Sequence, residues 1–229
     1  RRSSDLNEVD SISKLVNYVK PIAERMEFFR LYFNAQKLLI YTYTYKEKYE
    51  YAINESLKML EKAEELNNTD GRIAAYSCLA SAYHETNRTK EEGEALRKAH
   101  KYVSEQTTSS TQFNFLNQLI VFSKDQKDYS SLKTYLKENK QLLQKMLSLD
   151  PDMYESYFNL YLFSEIFQTY YYTGIGKIDS AKYHIEEAQD FITPQSYIPY
   201  MALYYDASAE YYRHTKDYQA ALLYIDSAL

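Results

Sequence analysis

A short sequence phrase recurs along this chain at an interval of forty residues. Its clearest copy places Tyr205, Ala209 and Tyr212 before a polar turn, and Ala221 and Ala228 after it. The second halves of five such copies open at Tyr49, Thr89, Tyr129, Ile178 and Tyr218. Three of the four intervals are 40 residues and the remaining one is 49. A period of this length predicts one supersecondary unit repeated along the chain.

The spacing inside each copy indicates a helix. Ala221 and Ala228 are seven residues apart, so they lie on one helical face, two turns along. Small residues there, together with Ala209 on the preceding helix, let two antiparallel helices approach closely. Tyr205 and Tyr212 then fill the space between one pair and the next. Because a single pair cannot bury both of its faces, we expect the pairs to stack.

Glycine and proline content supports the same fold class. The chain has four Gly and four Pro in 229 residues, too few for the tight turns of a β-sandwich or a doubly wound sheet. The predicted fold is therefore all-α, with about five antiparallel helix pairs and a leading helix in one domain.

The helix boundaries follow from the turn residues. A leading helix is expected over 5–19, with Pro21 in the first turn of the next helix. The nine extra residues of the long interval predict a longer helix around 142–158. The predicted pairs are 22–46 with 48–66, 71–87 with 89–104, 110–126 with 129–148, 152–173 with 178–192, and 195–214 with 218–229.

These copies resemble the tetratricopeptide repeat. In that family the first helix carries an aromatic residue, a small residue and a Tyr, and the second helix is rich in Ala. The resemblance covers roughly residues 28 to 229, and the period exceeds the family's usual length of about 34 residues. It implies an α-solenoid, a right-handed superhelix whose first helices line a concave groove for a protein or peptide. The chain is also similar, more loosely, to long-period sensor or scaffold segments of bacterial histidine kinases and transcription regulators.

In this family the first helices supply the groove. Positions offset by one and five from the packing aromatics are expected to point into it. Family members that clamp a peptide's C-terminal carboxylate use a paired set of Lys, Asn and Arg, which this chain matches only in part. The predicted groove residues are Lys37, Tyr41, Tyr45, Ser77, Ser81, His84, Asn117, Lys124, Tyr170, Asp206, Glu210 and Arg213.

Other functions have little support in the sequence. The segment 173–177 lacks the spacing of a phosphate-binding loop, and a helix end followed by a turn explains its two glycines. No His spacing suits a metal site, and no nucleophile turn is present. The net charge of −5, with no run of Lys or Arg longer than two, disfavours nucleic acid as a partner. We therefore expect no catalytic site and no cofactor or metal.

Three functions stay open at this point. The first is a peptide- or protein-binding array. The second is a ligand- or glycan-sensing, extracytoplasmic (periplasmic) segment of a membrane-bound histidine kinase or transcription regulator. The third is a structural or dimerisation spacer. The 27 tyrosines suit either core packing or a groove that stacks on a ligand. The first and last residues resemble cut ends, so the sequence predicts a piece of a longer protein, and it contains no stretch of about 18 apolar residues.

Overall fold

The computed structural model describes residues 2–103, 107–149, 157–192 and 198–228. Within these ranges the chain forms eleven α-helices and no strand, so the predicted all-α class is confirmed. The helices are α1 (Arg2–Arg25), α2 (Phe29–Tyr45), α3 (Tyr49–Glu65), α4 (Thr69–Glu85), α5 (Thr89–His100), α6 (Ser109–Asp125), α7 (Tyr129–Leu149), α8 (Phe158–Gly174), α9 (Ile178–Asp190), α10 (Ile198–His214) and α11 (Tyr218–Ala228).

A three-residue turn of constant geometry ends seven of these helices. Its middle residue has a positive φ, and the next backbone N–H donates to the carbonyl oxygen five residues earlier, as from Lys48 to Tyr43 at 2.8 Å. This is the Schellman arrangement, which satisfies the free carbonyls at a helix end. The positive-φ residues are Glu27, Glu47, Asn67, Asn87, Lys127, Gly176 and Lys216.

The turns explain the forty-residue period. In the first half of the chain the positive-φ residue recurs every 20 residues, from Glu27 to Asn87. Helices α2, α3 and α4 are each 17 residues long, and three turn residues complete each unit of twenty. Between Tyr49 and Thr89, two helices with two turns therefore make one period.

The predicted break near Pro21 is wrong. Pro21 lies inside α1, which continues to Arg25. The chain turns instead at Glu27, which has a φ of 57°. Val16 and Ala23, on either side of the proline, are buried, and this packing offsets the hydrogen bond that a proline removes from a helix. The lengthened helix is α7, with 21 residues; the rest of that prediction, at 150–156, lies outside the described residues.

The chain divides into two compact units, residues Arg1–Gln118 and Leu119–Leu229. In the first unit, α2 packs on α3, α3 on α4, and α4 on α5, while α2 also contacts α4. The small residues Ala52, Ala80 and Ala99 are buried as the packing argument predicted. Gly71 allows α4 to approach α2 closely, because a Cβ there would lie 2.6 Å from the Phe33 ring.

The second unit follows the same plan. Helix α8 packs on α9 and α10, and α10 packs on α11. The predicted small positions Thr169, Ala181, Ala188 and Ala209 are almost fully buried. Gly174 ends α8 beside the Tyr129 ring, and Gly176 has a φ of 74° in the turn that follows, so the helix-end interpretation of both glycines is confirmed.

Candidate ligand pocket on the first helices

Side chains of the first unit, on the first helices α2, α4 and α6, line an open pocket of about 300 Å³, part of which is open solvent. One or more side chains from each helix face it, and most of them are polar. The lining residues are Lys37, Tyr41, Ile73, Ala74, Ser77, Thr111, Asn114 and Gln118. The predicted groove residues Lys37, Tyr41 and Ser77 are therefore brought together by the fold.

Among the described residues that line this pocket, Lys37 is the one with a charged side chain. It is half-buried, and its Nζ lies 5.8 Å from the centroid of the Tyr41 ring. Within the described residues it forms no ion pair. A partly desolvated ammonium group that has no carboxylate partner is stabilised by any anion or strong hydrogen-bond acceptor that reaches it.

Tyr41 links the pocket to the interior of the first unit. The residue is 40% exposed, whereas its hydroxyl group reaches inward and forms a hydrogen bond with the fully buried Cys78 thiol. Burial raises the pKa of Tyr41. Burial also raises the pKa of Cys78 to about 12, against the opposing effects of the Lys37 charge and the Tyr41 hydrogen bond. The thiol thus stays protonated and holds the ring at the pocket wall.

Gln118 joins the opposite walls of the pocket. Its Nε2 donates to the backbone carbonyl oxygen of Ser77 at 2.9 Å, which ties α6 to α4. Its Oε1 is buried and accepts no hydrogen bond from the described residues. A buried acceptor without a donor is costly, so a small movement of this amide toward a ligand N–H or O–H would be favourable.

A polar cluster in the second unit brings together three more of the predicted residues. The Tyr170 hydroxyl donates to Oδ2 of Asp206 at 2.6 Å, while Lys124 Nζ lies 4.5 Å from the centroid of the Tyr170 ring. Lys124 also lies 3.5 Å from a carboxylate oxygen of Asp125. Burial, then the Asp206 hydrogen bond and charge, raise the pKa of Tyr170, with a further contribution from Glu210. These side chains come from the first helices α6, α8 and α10.

The remaining predicted residues lie outside both groups. Tyr45 is 82% exposed at the end of α2, and Ser81 and Asn117 are half-buried. His84 places Nδ1 3.2 Å from Glu92 Oε1, so it contacts the second helix α5 of its own pair. Arg213 is exposed near the end of α10.

Sequence reasoning missed the contribution of α6 to the pocket. Thr111, Asn114 and Gln118 have a spacing of three and four residues, which places them on one face. Asn117, the predicted residue, lies about 100° around the helix from Gln118. The repeat phrase is weakest in this helix, so the packing positions read from it predicted the wrong helix face for the groove. The polar stripe of Thr111, Asn114 and Gln118 was the sequence signal that could have indicated the correct face.

Two further properties bear on function. Across the described ranges, no group of three or more His, Cys, Asp and Glu side chains could hold a metal ion. None of the described helices has both the length and the apolar character needed to cross a bilayer.

Comparison with known proteins identifies the fold but no family. The crystal structure of BtubC (BKLC) from P. vanneervenii aligns with this chain at a TM-score of 0.70 and 18% sequence identity. The alignment covers 98% of this chain and 89% of that chain. No protein-family model matches the sequence, and no curated protein matches it significantly. At this identity the likeness shows a shared all-α fold.

Proposed function

We propose that this chain is a tetratricopeptide-type interaction module that binds an extended peptide or a partner helix along its first helices. The observation that carries this proposal is the pocket between α2, α4 and α6, whose wall includes Lys37, a residue that forms no ion pair with the part of the chain described. First helices of one length, 17 residues each in α2, α4, α6, α8 and α10, support the assignment to this repeat type. In a longer parent protein such a module would act as a sensor or scaffold segment.

The chemistry of the pocket suits the anchoring of one ligand group. The Lys37 ammonium group attracts a carboxylate or another strong acceptor. Ser77, Thr111 and Asn114 can donate or accept hydrogen bonds. Ile73 and Ala74 provide an apolar surface beside them. This mixture is typical of sites where a few polar groups orient a ligand and apolar contact adds affinity.

The second unit has a separate candidate contact surface, which is acidic where the pocket of the first unit is basic. Asp206 is exposed on α10 and Glu210 is half-buried one turn later. Tyr170 is only 2% exposed, so its role is to position Asp206 rather than to contact a ligand. A basic or hydrogen-bond-donating group of a peptide would bind here.

The test uses a displayed library of random peptides, panned against the whole chain. The binding of selected peptides is then compared between the wild type, Lys37→Ala and Asn114→Ala. Loss of the Lys37 contact is expected to weaken binding by about tenfold or more, since a charge-assisted hydrogen bond is removed. The matched control is Lys90→Ala, which removes an exposed lysine from the second helix α5.

The outcomes are distinct. Weakened binding by both pocket variants, with an unchanged control and unchanged thermal melts, supports the proposal. Selected peptides that bind all four proteins equally would place the interaction elsewhere and remove the pocket from it. A thermal shift produced by sugars or small acids, with no selected peptide, would favour a small-molecule sensor instead.

A further inference from the structure

Helix α7 presents an exposed ridge of three lysines. Lys133, Lys137 and Lys140 are separated by four and three residues and are all exposed. This spacing keeps them within about 60° of one another around the helix. Gln144, also exposed, continues the ridge by another turn. Among the described residues, none of the three lysines forms an ion pair.

Some exposed basic side chains on other helices pair with an acidic residue three positions away, as in Lys58–Glu55 at 2.6 Å and Arg88–Glu91 at 3.0 Å. Like charges at these spacings are destabilising to an isolated helix. The lysine ridge therefore costs stability in the single chain, and a partner of opposite charge would remove that cost.

Helix α9 presents a matching ridge of opposite charge. Asp179, Glu186 and Asp190 are exposed, and Tyr183 between them is 56% exposed. The four residues are spaced by four, three and four positions, as are the four ridge residues of α7. Glu186 has one contact within its helix, to Lys182 Nζ at 3.8 Å, and both side chains are more than 60% exposed. Such a loose exposed pair exchanges partners at little cost.

We propose that these two ridges meet between two copies of this chain, in a symmetric dimer. The α7 ridge of one copy contacts the α9 ridge of its partner, and the reverse contact forms at the same time, as two-fold symmetry requires. With the helices antiparallel, Lys133 and Lys137 meet the partner's Asp190 and Glu186. Lys140 then lies against the Tyr183 ring, where a cation–π contact is favourable, and Gln144 donates to Asp179.

Charge complementarity favours a second copy over other anionic partners. A bilayer rich in anionic lipid or a nucleic acid would attract the α7 ridge but repel the acidic α9 ridge in the same unit. A second copy satisfies both ridges together. This proposal concerns second helices and is independent of the pocket on the first helices.

The test measures the mass of the whole chain by light scattering and sedimentation over a range of concentrations. The wild type is expected to form dimers at about 0.01 M salt and to dissociate at about 1 M, because the Debye length falls from about 30 Å to about 3 Å. The variant K133E/K137E/K140E and the variant D179K/E186K/D190K are each expected to weaken dimerisation by about tenfold or more. A mixture of the two variants is expected to form heterodimers, since each supplies the charges that the other lacks.

The matched control is K90E/R97E/K98E, which reverses three exposed charges on α5 and is expected to dimerise like the wild type apart from the added net repulsion. Circular dichroism verifies that every variant is folded. A wild type that stays monomeric at low salt overturns the proposal. A dimer that both ridge variants leave intact, or variants that fail to recombine in the mixture, overturns it as well.

Discussion

The Tyr170 hydroxyl group joins two successive first helices of the second unit, because it donates from α8 to the Asp206 carboxylate of α10 at 2.6 Å. A weaker contact to the Leu203 carbonyl oxygen, at 3.3 Å, lies beside it. The ring beneath is almost completely buried. A hydrogen bond from a buried phenol to an exposed carboxylate thus fixes the position of a residue on the surface.

Replacement of Tyr170 by Phe is expected to lower the free energy of unfolding by about 1 kcal/mol, the net value of one hydrogen bond to a partly exposed charged group. Urea denaturation measures this change. Tyr172→Phe is the matched control, since its half-buried ring stacks on His184 and its hydroxyl forms no hydrogen bond in the described residues. Equal stability of the two variants would contradict a structural role for the Tyr170 contact.

Gly71→Ala is expected to destabilise the first unit by about 1–3 kcal/mol, because the added methyl group overpacks a buried contact. Its Cβ would meet Phe33 ring carbons at 2.6–2.9 Å, and Phe33 is only 5% exposed. Combining the change with Phe33→Leu, which clears the space, is expected to recover part of the loss. Additive effects of the two substitutions in urea denaturation would argue against the contact.

Glycine at the positive-φ turn positions is expected to stabilise the chain. Lys127 and Lys216 adopt φ values of 53° and 63°, where a Cβ is unfavourable. Lys127→Gly and Lys216→Gly should each raise the free energy of unfolding by about 0.5–1 kcal/mol, after the entropy cost of glycine. The reverse change, Gly176→Lys, should lower it by a similar amount. Thermal melts of the three variants test the sign as well as the size.

Alkaline pH is expected to destabilise the fold. Burial raises the pKa of Cys78 from 9.0 to about 12, and burial is also the main cause that raises the pKa values of Tyr170 and Tyr204. The unfolded chain therefore binds fewer protons than the folded chain above about pH 9, so stability falls as pH rises. Between about pH 9 and 12, the thiol of the unfolded chain loses its proton while the buried Cys78 thiol keeps it, so Cys78 contributes to this loss of stability.

Urea denaturation at a series of pH values measures this slope, and Cys78→Ala should reduce it. The same burial predicts that the native thiol resists alkylation at neutral pH and reacts only after unfolding. Rapid labelling of the folded protein, or a slope unchanged in Cys78→Ala, would contradict the buried and protonated state.

The repeat could be predicted from sequence because it depends on residue size at helical spacing. Ala52, Ala181 and Ala209 are buried where the forty-residue phrase placed them. The twenty-residue unit beneath that phrase was not recognised, because its marker is a backbone conformation. Glu27 and Lys127 adopt a positive φ. Their residue types do not indicate this conformation, unlike the glycine that is usual at this position.

Long-range geometry limited the prediction of the candidate site. Lys37, Tyr41 and Ser77 lie in well-marked repeats, and all three line the pocket. In α6 the phrase is weak, so the choice of Asn117 missed the face that carries Gln118. Tyr170 was expected in the groove, yet it is buried beneath Lys124; a tyrosine at a first-helix position can serve either role, and only its neighbours decide.

The constant turns also have a mechanical consequence. Each of the seven turns is closed by hydrogen bonds to the helix that it ends, and the contacting helices are one or two places apart in the chain. A force applied to the two ends would therefore unfold one helical hairpin before the next. Each step of about forty residues would release roughly 140 Å of extended chain. The protein would therefore unfold in discrete steps of this length rather than in one transition.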